Sequence, residues 1–120
     1  MIKKTLVLGA SENPERYSNM AIKKLRNQGH EVIAIGKQKG KVEDVEITCN
    51  TQISVNVDTV SIYLNILNQK KYEEYILSLH PRRIIFNPGA ENPELAERAK
   101  SNHIQVMDAC TLVLLSTGQY

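Results

Sequence analysis

Thr5-Leu6-Val7-Leu8-Gly9-Ala10-Ser11-Glu12-Asn13-Pro14-Glu15-Arg16-Tyr17-Ser18 decides the fold. A short β-prone apolar run stops at a glycine and gives way to a polar loop. Unbroken apolar runs, as opposed to alternating ones, mark strands buried on both faces. Beyond the loop, Met20, Ala21, Leu25 and Gln28, with Ile22 beside them, set out a helical stripe that ends at Gly29, a residue favoured just past a helix C-terminus. Glu31-Val32-Ile33-Ala34-Ile35 then reads as a second strand. The unit strand, loop, helix, strand has the length of one right-handed crossover.

The pattern continues outward. Asp58 to Leu64 reads as a third core strand, and Gln69 to Leu79 as a helix with Tyr72, Tyr75, Ile76 and Leu79 on one face, ended by His80-Pro81. Arg83-Ile84-Ile85-Phe86 is a fourth strand. A helix over Pro93 to Ser101 follows, with Asn92 at its N-cap and proline at its first position. His103 to Val106 makes a fifth strand, and Thr111 to Leu115 a closing apolar, helical segment that belongs to the core before any dimer contact. Lys37 to Asn50 is less regular, with Val45-Glu46-Ile47 as a short edge strand. Strands separated by helices imply a mostly parallel sheet covered on both faces. The expectation is an α/β, three-layer, Rossmann-like sandwich with a five-stranded sheet, forming one domain over residues 1–120.

Composition narrows the function classes. The chain has 120 residues, 42% hydrophobic and 23% charged, which is ordinary for a globular domain. A net charge of +2, with five Tyr and one Phe, offers neither the basic face nor the aromatic platform of a nucleic-acid binder. The longest apolar runs (Thr5 to Gly9, Val32 to Ile35, Leu112 to Leu115) are too short to cross a bilayer. The first residues run directly into a strand, without the apolar stretch of a signal peptide, so the expected compartment is the cytoplasm. Cys49 and Cys110 stand apart from each other and from any CxxC or Cys/His cluster, so no metal site is expected and both thiols read as reduced.

Ligands of open α/β sheets bind outside the carboxyl ends of the strands. Gly9 permits a tight turn there, Ala10 is small, Ser11, Asn13 and Ser18 offer polar groups, and the following helix presents free N–H groups and a positive dipole end to an anion. Arg16 adds a charge-assisted contact. The loop is not GxGxxG, and its plainer reading is a connection that caps the helix. After the second strand a NAD site expects an acidic residue for the ribose. Here stand Gly36-Lys37-Gln38-Lys39-Gly40-Lys41, which suit a phosphorylated ribose, as in NADP or the 3′-phosphate of coenzyme A, or simply a solvated turn. Tyr63, Leu64 and Asn65 after the third strand, and Asn87, Pro88 and Gly89 after the fourth, fall at the same sheet edge. No catalytic constellation emerges. His30, His80 and His103 lie toward the opposite edge, as solvent or capping residues, and Ser11 has no partner base.

With those positions in place, the chain resembles the stand-alone CoA-binding domain family, small Rossmann-like proteins similar to the CoA-binding domain of the succinyl-CoA synthetase alpha subunit. The likeness rests on Val7 to Arg16, Gly29 to Ile35, Val57 to Val60, Asn87 to Ala96 and Val106 to Cys110, with Gly9-Ala10-Ser11, Asn13-Pro14 and Arg16 the most specific part. The resemblance implies that Gly9 to Ser11 and Ser18 cradle the CoA phosphates. It implies that Gly36 and Lys37 meet the adenosine end, and that Tyr63 to Asn65 and Asn87 to Gly89 line the rest of the cleft. Gly36-Lys37 replaces an Asn-Pro pair usual in relatives, and Asn87-Pro88-Gly89 replaces a Gln-x-Gly turn. The expected function is non-catalytic binding of coenzyme A or an acyl-CoA, as a homodimer or as a subunit serving a partner enzyme. The rival readings are an NADP-binding reductase-like protein and part of a CoA-thioester enzyme completed by another chain.

Overall fold

The computed structural model describes residues 2–51 and 56–120, and along them strands and helices alternate. The elements are β1 (Thr5–Ala10), α1 (Tyr17–Asn27), β2 (Val32–Gly36), β3 (Gly40–Val42), β4 (Val45–Thr48), β5 (Thr59–Ile62), α2 (Ile66–Gln69), a 3₁₀ turn (Lys70–Tyr72), α3 (Glu73–Ser78), β6 (Arg83–Phe86), α4 (Pro93–Ser101), β7 (Gln105–Asp108) and α5 (Thr111–Ser116). The strands form one sheet in the order β3-β4-β2-β1-β5-β6-β7. Every neighbouring pair is parallel except β3 with β4.

The α/β, Rossmann-like, mostly parallel sheet therefore stands, but it has seven strands and not the expected five. The two further strands form a hairpin at one edge: β4 contains the short strand expected over Val45-Glu46-Ile47, and β3, which was not expected, lies outside it. Val42 pairs with Val45 across a two-residue turn, and Glu43 takes a left-handed φ of 54°. Hairpin turns of this kind usually carry Asn or Gly, so Glu43-Asp44 gave no turn signal. The segment expected as one helix over 69–79 is instead α2, the 3₁₀ turn and α3. The fifth expected strand starts two residues later, at Gln105, because His103 turns the chain with a φ of 61°.

Side-chain alternation along the strands sorts the core onto two faces. Leu6, Leu8, Ile35, Val60, Ile62, Ile84 and Phe86 pack with Ile76, Leu95 and Ala99 from α3 and α4. Val7, Ala34 and Ile47 pack on the other face with Ile22 and Leu25 from α1 and Leu115 from α5. Burying each large side chain contributes about 1.5–3 kcal/mol, so these two clusters carry most of the stability. Leu114 and Leu115 of the closing helix are buried, while Val113 is 55% exposed.

The amino edge of the sheet is sealed by a cluster around Tyr120. Its ring lies 5.1 Å edge-on from His30 and 4.5 Å beneath the Arg83 guanidinium, and its hydroxyl bonds Thr5. His30 is buried, not the solvent residue its position suggested. Its Nδ1 accepts the Lys3 amide proton at 2.9 Å, and burial pulls its pKa below the ordinary value. His80 and His103 are exposed turn residues with positive φ.

Candidate functional site

The chain leaves β1 on one side of the sheet for β2 and then returns to place β5 on the other, so the strand order reverses around β1. At such a point the two outgoing loops diverge and open a crevice beyond the carboxyl ends. A cleft of about 830 Å³ lies there, within the range of small-molecule and cofactor sites.

Its floor is the end of β1. Between Leu8 and Ala10 the pairing with β2 slips by one residue, and Gly9 absorbs the bulge with a φ of +97°. A Cβ on Gly9 would come within 3.2 Å of both Leu64 and the Tyr63 backbone. Gly36, at the end of β2, faces the Ala10 carbonyl so closely that a methyl group there would overlap the oxygen.

The loop after β1 is held by its own polar groups. Ser11 Oγ accepts from the Asn13 amide at 3.1 Å, Asn13 Oδ1 from the Glu15 amide at 3.0 Å, and the Asn19 side chain donates to the Ser11 carbonyl at 3.0 Å. Glu12 reaches across to accept the Lys41 amide proton at 2.8 Å, which fastens this loop to β3. Arg16 stands at the N-cap of α1 without a capping bond, and the first turn of α1 has no acidic residue. By contrast α2 is capped by Asn65, which accepts from Asn68 at 2.9 Å, and α4 by Asn92, which accepts from Leu95 at 3.1 Å. The start of α1 thus faces the cleft with its positive dipole end uncapped by a side chain.

Of the candidate ligand-binding residues, Gly9, Ala10, Ser11, Asn13, Arg16, Ser18, Lys37, Tyr63, Leu64, Asn65, Pro88 and Gly89 line this cleft, as does Lys39 of the lysine-rich turn. Gly36 lies beside it, in a smaller notch that opens from it. Asn87 is elsewhere. It is buried beneath the cleft and spends its side chain inward, donating to Ser61 Oγ and the Ile62 carbonyl at 2.9 Å each and accepting the Thr111 amide proton at 2.8 Å. Ser61 and Thr111 complete this hub with a 2.8 Å hydroxyl pair.

Sequence reasoning passed over Tyr17, Gln38 and Asn68, which also line the cleft. Asn68 follows Asn65 by one helical turn, a spacing that would have found it had the helix been started at residue 66. Behind the cleft, buried polar groups brace its loops. Gln69, fully buried, donates to the Leu64 carbonyl at 2.8 Å and the Ala90 carbonyl at 2.6 Å, and its Oε1 accepts from Asn92 at 3.0 Å. These bonds tie the loops after β5 and β6 together.

Tyr63 lines the cleft with its ring, while its hydroxyl is buried and finds no hydrogen-bond partner of ordinary geometry. Burial pushes the phenol up to about 12, and the nearby Thr111 and Ser61 hydroxyls oppose this only in part. Because the fold favours the protonated phenol, Tyr63 contributes full stability below its unfolded value near pH 10, and this is lost as pH rises toward 12. Tyr63→Phe is therefore expected to change stability by less than about 1 kcal/mol at neutral pH. By about pH 11.5 the wild type should lose about 1–2 kcal/mol more than the variant. Urea midpoints across that range check this, and parallel alkaline losses in the two proteins would refute it.

The sequence model of a family described as "CoA binding domain" matches residues 3–116. A crystal structure of an uncharacterized protein is 45% identical, with a TM-score of 0.97 over 100% of this chain and 99% of that one. A hypothetical protein from Pyrococcus horikoshii OT3 is 20% identical, with a TM-score of 0.86 over 96% of this chain and 82% of that one. A Thermus thermophilus protein is 22% identical, with a TM-score of 0.82 over 98% and 90%. The last two show a shared fold alone. No curated protein matches the chain.

Proposed function

This chain belongs to the CoA binding domain family, and from that premise we propose that its cleft holds coenzyme A or an acyl-CoA without acting on it. The observation that carries the reading is the cleft at the strand-order reversal, where the Gly9 bulge and the uncapped start of α1 meet. A pyrophosphate suits the Ala10 and Ser11 turn and the α1 amides, with Arg16 as a charged partner. Gly9 and Gly36 keep the floor bare of side chains, so a ligand approaches backbone directly. Lys37 stands where the adenosine end would lie. Tyr63, Leu64, Asn65, Pro88 and Gly89 flank the rest, with Asn87 supporting them from below.

The non-catalytic part of the proposal is supported by what surrounds the cleft. Tyr63 is held protonated, Ser11 accepts a backbone proton, and His30 belongs to the Tyr120 cluster at the opposite edge. We read residues 1–120 as one cytoplasmic domain that presents its ligand as a homodimer or to a partner enzyme.

Isothermal titration of ligand-stripped protein with CoA, dephospho-CoA, NADP and NAD tests the reading. Binding of CoA at about micromolar Kd, with NAD silent, is the expected result. Heat with NADP and none with CoA would transfer the site to a reductase-like protein.

A further inference from the structure

Beside the main cleft lies a notch of about 40 Å³, lined by Gly9, Ile35, Gly36, Lys37, Leu64, Asn68, Lys71 and Tyr72. Gly9, Lys37, Leu64 and Asn68 line both, so the notch is a side arm of the cleft. Its charge differs from that of the larger space. The main cleft mixes Arg16, Lys37 and Lys39 with the carboxylates of Glu12 and Glu15. The notch has Lys37 and Lys71 and no carboxylate.

The two lysines come from different elements. Lys37 follows β2, and Lys71 comes from the 3₁₀ turn between α2 and α3. Lys71 Nζ lies 5.2 Å from the centroid of the Tyr72 ring, a cation–π distance, and Tyr72 lines the notch as well. Neither lysine is ion-paired among the described residues. Two ammonium groups lining one notch with an apolar wall of Ile35, Leu64 and Tyr72, and with no carboxylate beside them, favour a compact dianion there. Asn68 adds an amide.

We propose that Lys71, with Lys37 opposite, is the specificity residue for a phosphomonoester on the ribose of the bound nucleotide. This rests on the nucleotide reading of the main cleft and adds to it a residue outside the β-strand ends. A phosphomonoester carries nearly two negative charges at neutral pH and three acceptor oxygens, against one charge per phosphate within a pyrophosphate. It therefore belongs where the lining is wholly basic, while the pyrophosphate stays at α1. The ribose phosphate of CoA and that of NADP share this chemistry.

Paired titrations of CoA against dephospho-CoA, and of NADP against NAD, distinguish the sources in wild type, Lys71→Gln, Lys37→Gln and the exposed neighbour Lys70→Gln. Lys71→Gln and Lys37→Gln are each expected to weaken CoA about tenfold and dephospho-CoA less than about twofold, with Lys70→Gln altering neither. The same selective loss seen with NADP and not with CoA would keep the clamp and reassign its ligand. Wild-type protein that binds CoA and dephospho-CoA equally, or Lys71→Gln that weakens both alike, overturns the clamp and leaves the cleft reading standing. Wild-type protein that binds none of the four overturns both.

Discussion

Gly36→Ala is expected to cost about 3 kcal/mol or more, a large share of the roughly 5–15 kcal/mol by which a domain is usually stable. The added methyl group would be driven into the Ala10 carbonyl oxygen, with Ile47 Cγ2 at 3.1 Å behind it. Both obstacles are fixed. Ala10 pairs with Gly36 in the sheet, and Ile47 is 3% exposed on the neighbouring β4. A flexible side chain could swing away, but the Ala10 carbonyl, in the last pair of the β1–β2 ladder, moves only if the ends of the two strands part. That movement would also undo the Gly9 bulge, so any folded remainder should lose ligand affinity with its stability. Urea unfolding gives the result, and a variant within about 1 kcal/mol of wild type would show that β1 and β2 are not as close as described.

Asn87→Ala should cost about 3 kcal/mol, although it removes a side chain at the cleft-side end of a strand. Three hydrogen bonds disappear together, and the Thr111 amide is left buried without its acceptor. Because Thr111 is the first residue of α5, the loss should loosen that helix from the sheet. A residue whose role was to touch ligand would behave in the opposite way, with normal stability and weakened binding. Denaturation midpoints and CoA titration on the same sample separate the two, and unchanged stability would contradict the hub.

The contrast between Asn87 and its neighbours explains how far the site was legible. Its place at the end of β6 follows from the apolar run Arg83 to Phe86 and the Pro88-Gly89 turn. Its direction is less plain: period-two alternation puts Asn87 on the same side as the buried Ile85, but a polar residue one past a strand end reads as part of the exposed turn. Gly9, Ser11, Arg16 and Ser18 were legible for a simpler reason. A buried strand that stops at a glycine before a helix leaves its loop nowhere to go but the carboxyl edge.

The β1-α1-β2 unit was legible because unbroken apolar runs and glycine boundaries agree. Of the β3-β4 hairpin only β4 was legible, through the alternation Val45-Glu46-Ile47; β3 was not, because a strand of three residues carries too little pattern and the turn depends on Glu43 holding a left-handed φ against its preference. Lys71 was hidden differently. Within the helix expected over Gln69 to Leu79, Lys71 reads as a solvated residue, and only folding brings it to the same notch as Lys37, which is 34 positions earlier in the chain.

The central claim is that coenzyme A occupies the cleft at the strand-order reversal, and amide-resolved NMR during CoA titration tests it most directly. The account predicts shifts confined to residues 9–18, 36–39, 63–72 and 88–89, with the Tyr120 cluster at the opposite edge unmoved. Shifts centred on that cluster or on α5, with the Gly9 loop silent, would contradict it.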